Sequence, residues 1–210
     1  MLRNAIGISV ATGAYAVSFG AVAVTAGLSV VQTCATSLLV FTGASQFALV
    51  AVLGAGGAVF SGVLSAWLLG TRNALYAVRM ADLLQLRGAR RVAAAQLTID
   101  ESTAMAIAAP AGLERLGFFA TGIGIYLLWN LGTLLGALGA AHLGDPARFG
   151  LDAAVPAAFV ALLAPRLRDR EAAGAALLGA ALALVAVPFV RPGVPVLLAG
   201  LAVLPLLARR

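Results

Sequence analysis

Residues 41–47 read Phe41-Thr42-Gly43-Ala44-Ser45-Gln46-Phe47 and residues 69–76 read Leu69-Gly70-Thr71-Arg72-Asn73-Ala74-Leu75-Tyr76, two polar islands in surroundings built largely of Ala, Val, Leu and Gly. A third island reads Gln96-Leu97-Thr98-Ile99-Asp100-Glu101-Ser102-Thr103. Outward from these, apolar runs fall at about Ile6–Leu28, Val31–Leu53, Ala58–Leu84, Ala93–Ala111, Gly117–Leu143, Leu151–Leu163, Ala172–Val190 and Val194–Ala208. No alternation at a two-residue period runs through them, so they read as helices, the other structure that can cross lipid with its backbone polar groups satisfied.

Composition agrees. The 210 residues are 62% hydrophobic, and at about 20 apolar residues per crossing that is material for six or seven spans. Only 10% are charged, against about 25% in soluble domains, and the mean hydropathy is +1.03. A soluble enzyme and a disordered chain are excluded. The expectation is one integral membrane domain over residues 1–210: an all-α, polytopic transmembrane helical bundle of about seven spans with broken or re-entrant segments, multi-pass in the inner (plasma) membrane.

The net charge of +6 comes from arginines, which cluster between apolar runs. They read as topology signals, with no nucleic-acid partner implied. If the run Ala93–Ala111 dips in without crossing, Arg87, Arg90, Arg91, Arg115, Arg166, Arg168, Arg170, Arg209 and Arg210 share one face. Arg3, Arg148 and Arg191 lie on the other, which predicts an external amino terminus and a cytoplasmic carboxyl terminus. Cys34 stands alone and cannot form an internal disulfide. The first run lacks a cleavage site and reads as a retained helix.

Small residues at four-residue spacing, Gly132-Gly136-Ala140 and Ala175-Gly179-Ala183, predict close helix packing. Pro156, Pro165, Pro188, Pro195 and Pro205 predict kinks or helix ends in the last third.

An ionised side chain at the bilayer centre costs about 2.5–3.5 kcal/mol on insertion scales, so polar islands are candidate sites. Thr42, Ser45 and Gln46 lie where lipid cannot satisfy them, and Gly43 weakens the helix. Either the helix unwinds toward a cavity, as in secondary transporters, or the hydroxyls bond back to their own helix. Arg72 has a long apolar stretch before it and sits well short of the charged exit; its guanidinium suits a carboxylate. Asn73 accompanies it, while Arg79 and Asp82, three apart, read as a local ion pair. Asp100 and Glu101 point about 100° apart on a helix. One can pair with Arg72 while the other titrates, since a carboxyl in low dielectric holds its proton as proton coupling requires; the alternative is an ordinary helix start capped by Thr98 or Asp100. Asn130 is read as helix glue or a substrate contact, and Trp67 and Trp129 as membrane aromatics. His142 reads as interfacial. With one His and one Cys, no metal or cofactor site is expected.

The three islands, in this order, resemble the AzlC family, the large subunit of two-component branched-chain amino-acid exporters. The Gly-small-small-Gln-Phe turn resembles Gly43-Ala44-Ser45-Gln46-Phe47. An Arg/Asn motif followed by Tyr is similar to Arg72-Asn73-Ala74-Leu75-Tyr76, and the family's Thr-Asp-Glu is similar to Thr98-Ile99-Asp100-Glu101. A Trp-xx-Gly stretch resembles Trp129 to Gly136, and 150–163 resembles the family's next helix. The chain departs from the family by carrying Ala14-Tyr15-Ala16 where a Pro-aromatic-Gly step is usual, by the Ile inserted before Asp100, and by its Arg-Asn order.

The resemblance implies efflux of branched-chain or similar neutral amino acids, driven by the proton gradient, together with a small AzlD-type membrane subunit. In that reading Ser45, Gln46, Arg72, Asn73 and Asn130 handle the substrate, and Asp100 or Glu101 exchanges the proton. The chain is then no enzyme. No nucleotide-binding loop is present in the sequence. The alternative reading is an accessory membrane subunit in which an Arg–Asp pair is purely structural.

Overall fold

The computed structural model describes residues 1–143, 157, 159–160 and 163–207. Two helices, α1 (Leu2–Thr25) and α7 (Glu114–Leu143), are long and apolar enough to cross a bilayer. At 1.5 Å per residue they run about 36 and 45 Å, more than the roughly 30 Å of hydrocarbon.

These two form the spine of the molecule, and glycine is why. Ser9 lies against Gly124, Gly13 against Leu128 and Gly132, Val17 against Gly136, and Gly20 against Thr133 and Ala137. Numbers rise together along both helices, so they are parallel, and Arg3 and Arg115 stand at the same end of the pair, which corrects the expectation from the arginine count that they lie on opposite faces. A Cβ at Gly136 would enter the Val17 carbonyl, and one at Gly132 would enter that of Gly13. Such backbone approach is how helices associate in lipid, where no hydrophobic force acts between them. The Gly132-Gly136-Ala140 spacing thus packs as expected.

Between the spine helices come α2 (Val30–Val40), α3 (Ala44–Gly54), α4 (Val59–Leu84), α5 (Gly88–Gln96) and α6 (Asp100–Ile107). After α7 come α8 (Arg170–Ala186), α9 (Val194–Ala199) and α10 (Leu204–Leu207), with 3-10 turns at Arg166–Arg168 and Gly200–Val203. No strand occurs among the described residues. α2 begins at a reciprocal cap: Ser29 Oγ accepts from the Gln32 amide, and Gln32 Oε1 accepts from the Ser29 amide. α8 is capped by Asp169, which accepts from the Ala172 N–H at 2.8 Å. The prolines mark helix ends: Pro188 follows α8, Pro195 lies in the first turn of α9, and Pro205 is the second residue of α10.

Among the described residues two helices are clear crossings by length and composition, and two of the other apolar runs are interrupted. The run Val31–Leu53 is split into two 11-residue halves by Phe41-Thr42-Gly43, where Phe41 (φ 23°) and Gly43 (φ 60°) leave the helical region. Each half is about 16 Å long, half the hydrocarbon thickness. The run Ala93–Ala111 is split between α5 and α6, and neither half is long enough to span. α4 has 26 residues with Arg72 at its middle. Arg79 and Asp82 are exposed and form no ion pair, which corrects the expectation from their spacing; at an exposed site the gain, about 0–1 kcal/mol, does not hold two long side chains in place. The predicted run Leu151–Leu163, the Gly144-Asp145-Pro146 signal, Pro156, Arg148, Arg209 and Arg210 lie outside the described residues, apart from Ala157, Phe159, Val160 and Leu163.

The surface is that of a lipid-embedded protein. Val31, Leu39, Phe60, Trp67, Leu75 and Phe189 are each more than seven-tenths exposed, which water does not tolerate in such density. Inside, Phe19 meets Phe47 edge to face and stacks on Trp129 along the spine.

The break at 41–43 is held by one side chain. Gln46 is fully buried; its Oε1 accepts from the Thr42 and Gly43 N–H groups at 3.3 and 3.1 Å, and its Nε2 donates to the Thr36 carbonyl at 3.3 Å. Gln46→Leu leaves two backbone donors without an acceptor, each costing about 1–3 kcal/mol. The expected result is a clearly lowered melting temperature in detergent, read by thermal unfolding.

Candidate functional site

Two of the three polar islands stand at irregularities of the backbone, and both irregularities are helix starts; the third lies within α4. The break at 41–43 ends where α3 begins, so the first-turn N–H groups of α3 have no intrahelical acceptors. Likewise Leu97-Thr98-Ile99 ends where α6 begins. There Ser102 Oγ accepts from the Ile99 N–H at 3.1 Å and donates to the Leu97 carbonyl at 2.6 Å, fixing the turn. Asp100 and Glu101 thereby occupy the first turn of α6, where the helix macrodipole favours negative charge. Arg72 comes from mid-α4. Its helix packs against α3 with Gly70 over Ser45.

These elements enclose a cavity of about 290 Å³. Its polar wall is Thr12, Thr42, Arg72, Asp100 and Glu101, and its apolar wall includes Tyr15, Phe41, Phe47, Ile99, Ile125 and Trp129. Across it Arg72 Nη2 meets Asp100 Oδ2 at 3.1 Å, the one salt bridge among the described residues. The two side chains are 34% and 37% exposed. A pair that open gains little for the fold, so its stability role is small. The aromatic wall is tightly set: Tyr15 and Phe47 lie 5.3 Å apart, Tyr15 and Trp129 5.9 Å edge to face.

The hydrogen-bond inventory of this cavity is incomplete. Tyr15 Oη, Thr42 Oγ1, Arg72 Nε, Asp100 Oδ1 and Trp129 Nε1 are all buried and have no partner in the chain. An unmet buried polar atom costs about 1–3 kcal/mol, and native proteins leave few of them. Five around one cavity make it a place where a polar guest gains interactions that the chain alone does not provide.

Arg72, Asp100 and Glu101 are thus brought together. The other four sequence candidates do not line the cavity. Ser45 is buried under α4, its hydroxyl without a partner, and Gln46 braces the break. Asn73 Oδ1 has no partner. Asn130 donates to the Tyr126 carbonyl of its own helix at 2.7 Å. Tyr15 and Trp129 were not anticipated as cavity residues. In sequence they are apolar-run aromatics, and only the three-dimensional crossing of α1 and α7 sets them side by side. Among the described residues no group of His, Cys, Asp and Glu could hold a metal ion.

Comparison with known proteins adds the following. The family described as AzlC protein matches residues 7–143, the segment that carries every element of the cavity. An uncharacterized membrane protein of Archaeoglobus fulgidus is 34% identical over 171 residues, covering 80% of this chain and 75% of its own length. No solved structure matches.

Proposed function

The chain belongs to the AzlC family, and on that premise we propose that it is a proton-coupled secondary transporter that exports branched-chain or similar neutral amino acids across the inner membrane. About seven crossings, several of them broken, form the path, and a small AzlD-type membrane subunit completes the transporter. Transport needs no covalent chemistry from the chain.

The observation that supports this most is the pairing of an incompletely bonded guanidinium and carboxylate with a helix start in one cavity. A zwitterion fits those three features. Its carboxylate takes the free donors of Arg72, a forked cation suited to carboxylates, and lies near the first turn of α3, a helix start of the kind that binds anions in transporters. Its ammonium goes to Asp100 and Glu101. Its side chain meets Phe47, Ile125 and Trp129. A volume of about 290 Å³ lies at the small end of the roughly 300–1,000 Å³ of small-molecule sites, which suits an amino acid and not a peptide.

Asp100 is engaged by Arg72, so Glu101 is assigned the proton exchange. When the substrate carboxylate takes Arg72, Asp100 is released toward the ammonium, and the site changes partners without leaving a charge uncompensated.

The test is leucine, isoleucine and valine efflux from cells expressing the chain with and without its genomic neighbour. Expected is efflux above background with both chains present. Intracellular retention equal to that of empty cells in both cases contradicts the proposal.

A further inference from the structure

Outside the cavity, five more buried hydroxyls make no hydrogen bond, those of Ser9, Thr33, Ser45, Thr103 and Thr121, and three of them lie on α1, α6 and α7 on the same side of the cavity. Ser9 Oγ, Thr103 Oγ1 and Thr121 Oγ1 are 3%, 5% and 0% exposed by residue and have no partner in the chain. Hydroxyls in apolar helices ordinarily bond back to the carbonyl four residues earlier, as Thr25 and Thr98 do here. These three do not.

Their positions are related. Ser9 is three residues before Thr12, and Thr121 is four before Ile125, both of which line the cavity; each hydroxyl therefore lies one turn along the same helix face as a cavity residue. Thr103 is three residues after Asp100 and stands in the same relation on α6. The direction is also common to all three. α1 and α7 are parallel, with Ser9 Oγ 2.5 Å from a Cβ built on Gly124. α6 runs opposite to them, since Gly122 faces Leu97 and Ser102 while Gly117 faces Met105. Moving from the cavity toward the starts of α1 and α7 thus passes Ser9 first, level with Gly124, and then Thr121 and Thr103 about one turn further on.

We propose that Ser9, Thr103 and Thr121 form a proton path between Glu101 and the membrane face where α1 and α7 begin. A hydroxyl accepts a proton on its oxygen while releasing its own, so a proton leaving the Glu101 carboxyl is passed on with no hydroxyl changed at the end and no charge retained. Water serves as the link wherever two hydroxyls do not meet, because buried polar groups without protein partners are water sites. The charged groups facing this stretch are Arg72, Asp100 and Glu101 on the cavity side. On the other side are Arg3, Glu114 and Arg115, of which Arg115 Nε is bound to the Leu84 carbonyl. α1 and α7 carry no ionisable group between Ser9 or Thr121 and their cavity residues. The hydroxyls are the polar groups these two helices offer there.

The inference rests on the proton-coupled reading above, and the experiment separates the two. Membrane vesicles from cells expressing the full chain with its genomic neighbour are loaded with leucine, and two rates are read. One is exchange of labelled for unlabelled leucine at equal pH, and the other is leucine-driven proton movement reported by a pH-sensitive dye. Ser9→Ala, Thr103→Val and Thr121→Val remove the hydroxyl at nearly constant shape. Expected is leucine exchange within about twofold of wild type and proton movement reduced about tenfold or more, a small part of what a positioned proton-transfer group contributes. Thr103→Ser and Thr121→Ser, which keep the hydroxyl, retain the proton movement. Wild-type proton movement in the Val variants overturns the path while leaving the transporter reading intact, and so does loss of exchange together with proton movement. Leucine exchange without any proton movement in the wild type overturns the coupling itself.

Discussion

Arg72→Ala is expected to abolish leucine efflux while leaving the protein folded and in the membrane at normal levels. The two halves of that expectation have separate causes. The Arg72–Asp100 pair is a third exposed on each side, so its loss alters stability by about 0–1 kcal/mol. For the substrate, the same guanidinium supplies charge-assisted hydrogen bonds worth about 1.5–3 kcal/mol each, and losing two lowers affinity by roughly two orders of magnitude or more. Efflux and the amount of folded protein, read by fluorescence-detection chromatography, check the two halves. Asp100→Asn is expected to behave alike, since it removes the charge that the ammonium meets. The exchanged pair Arg72→Asp with Asp100→Arg distinguishes transport from a purely structural role. A structural pair works in either order, whereas a carboxylate brought to the α3 side cannot receive the substrate's own carboxylate, so the exchanged pair is expected to remain inactive.

Gly136→Leu is expected to have the largest effect on folding. The Cβ of any side chain at 136 enters the backbone carbonyl of Val17, and backbone cannot give way as a flexible side chain can. The helices must separate along the stretch where Gly13, Ala16 and Gly20 meet Gly132 and Thr133, losing the packing that holds helices together in lipid. Overpacking of a well-packed core ordinarily costs about 1–3 kcal/mol, and a backbone collision on the main spine lies at or above the upper end. Expected is near-complete loss of monodisperse protein on extraction. Gly139→Leu, four residues from the end of α7, meets nothing within 4 Å and is expected to extract like wild type.

Much of the site was legible because lipid makes polarity conspicuous. Arg72, Asp100 and Glu101 stand out in apolar runs, and the structure brings all three to one cavity. The unwinding at Thr42-Gly43 was readable for the same reason. Gln46 shows where that reasoning stopped. Its amide marked it as polar, but its position three residues after Gly43 is also the geometry of a cap that folds back onto the preceding N–H groups, and this is the bonding it makes. Tyr15 and Trp129 carried no distinguishing signal, because an aromatic in an apolar run reads the same whether it faces lipid or a cavity. Trp67, exposed to lipid, and Trp129, 3% exposed, illustrate the ambiguity. Hydropathy alone averages over a run and does not register a three-residue break such as 41–43 or 97–99; the polar residues there, with the arginine count for the second, are what pointed to broken or re-entrant segments.

Saturable binding of radiolabelled leucine to the purified chain in lipid nanodiscs, compared with the Arg72→Ala and Asp100→Asn variants, tests the zwitterion site most directly. Binding that other neutral amino acids displace, and that both variants lose by about a hundredfold in affinity, is the predicted result. Undiminished leucine binding in both variants places the substrate elsewhere and contradicts the account.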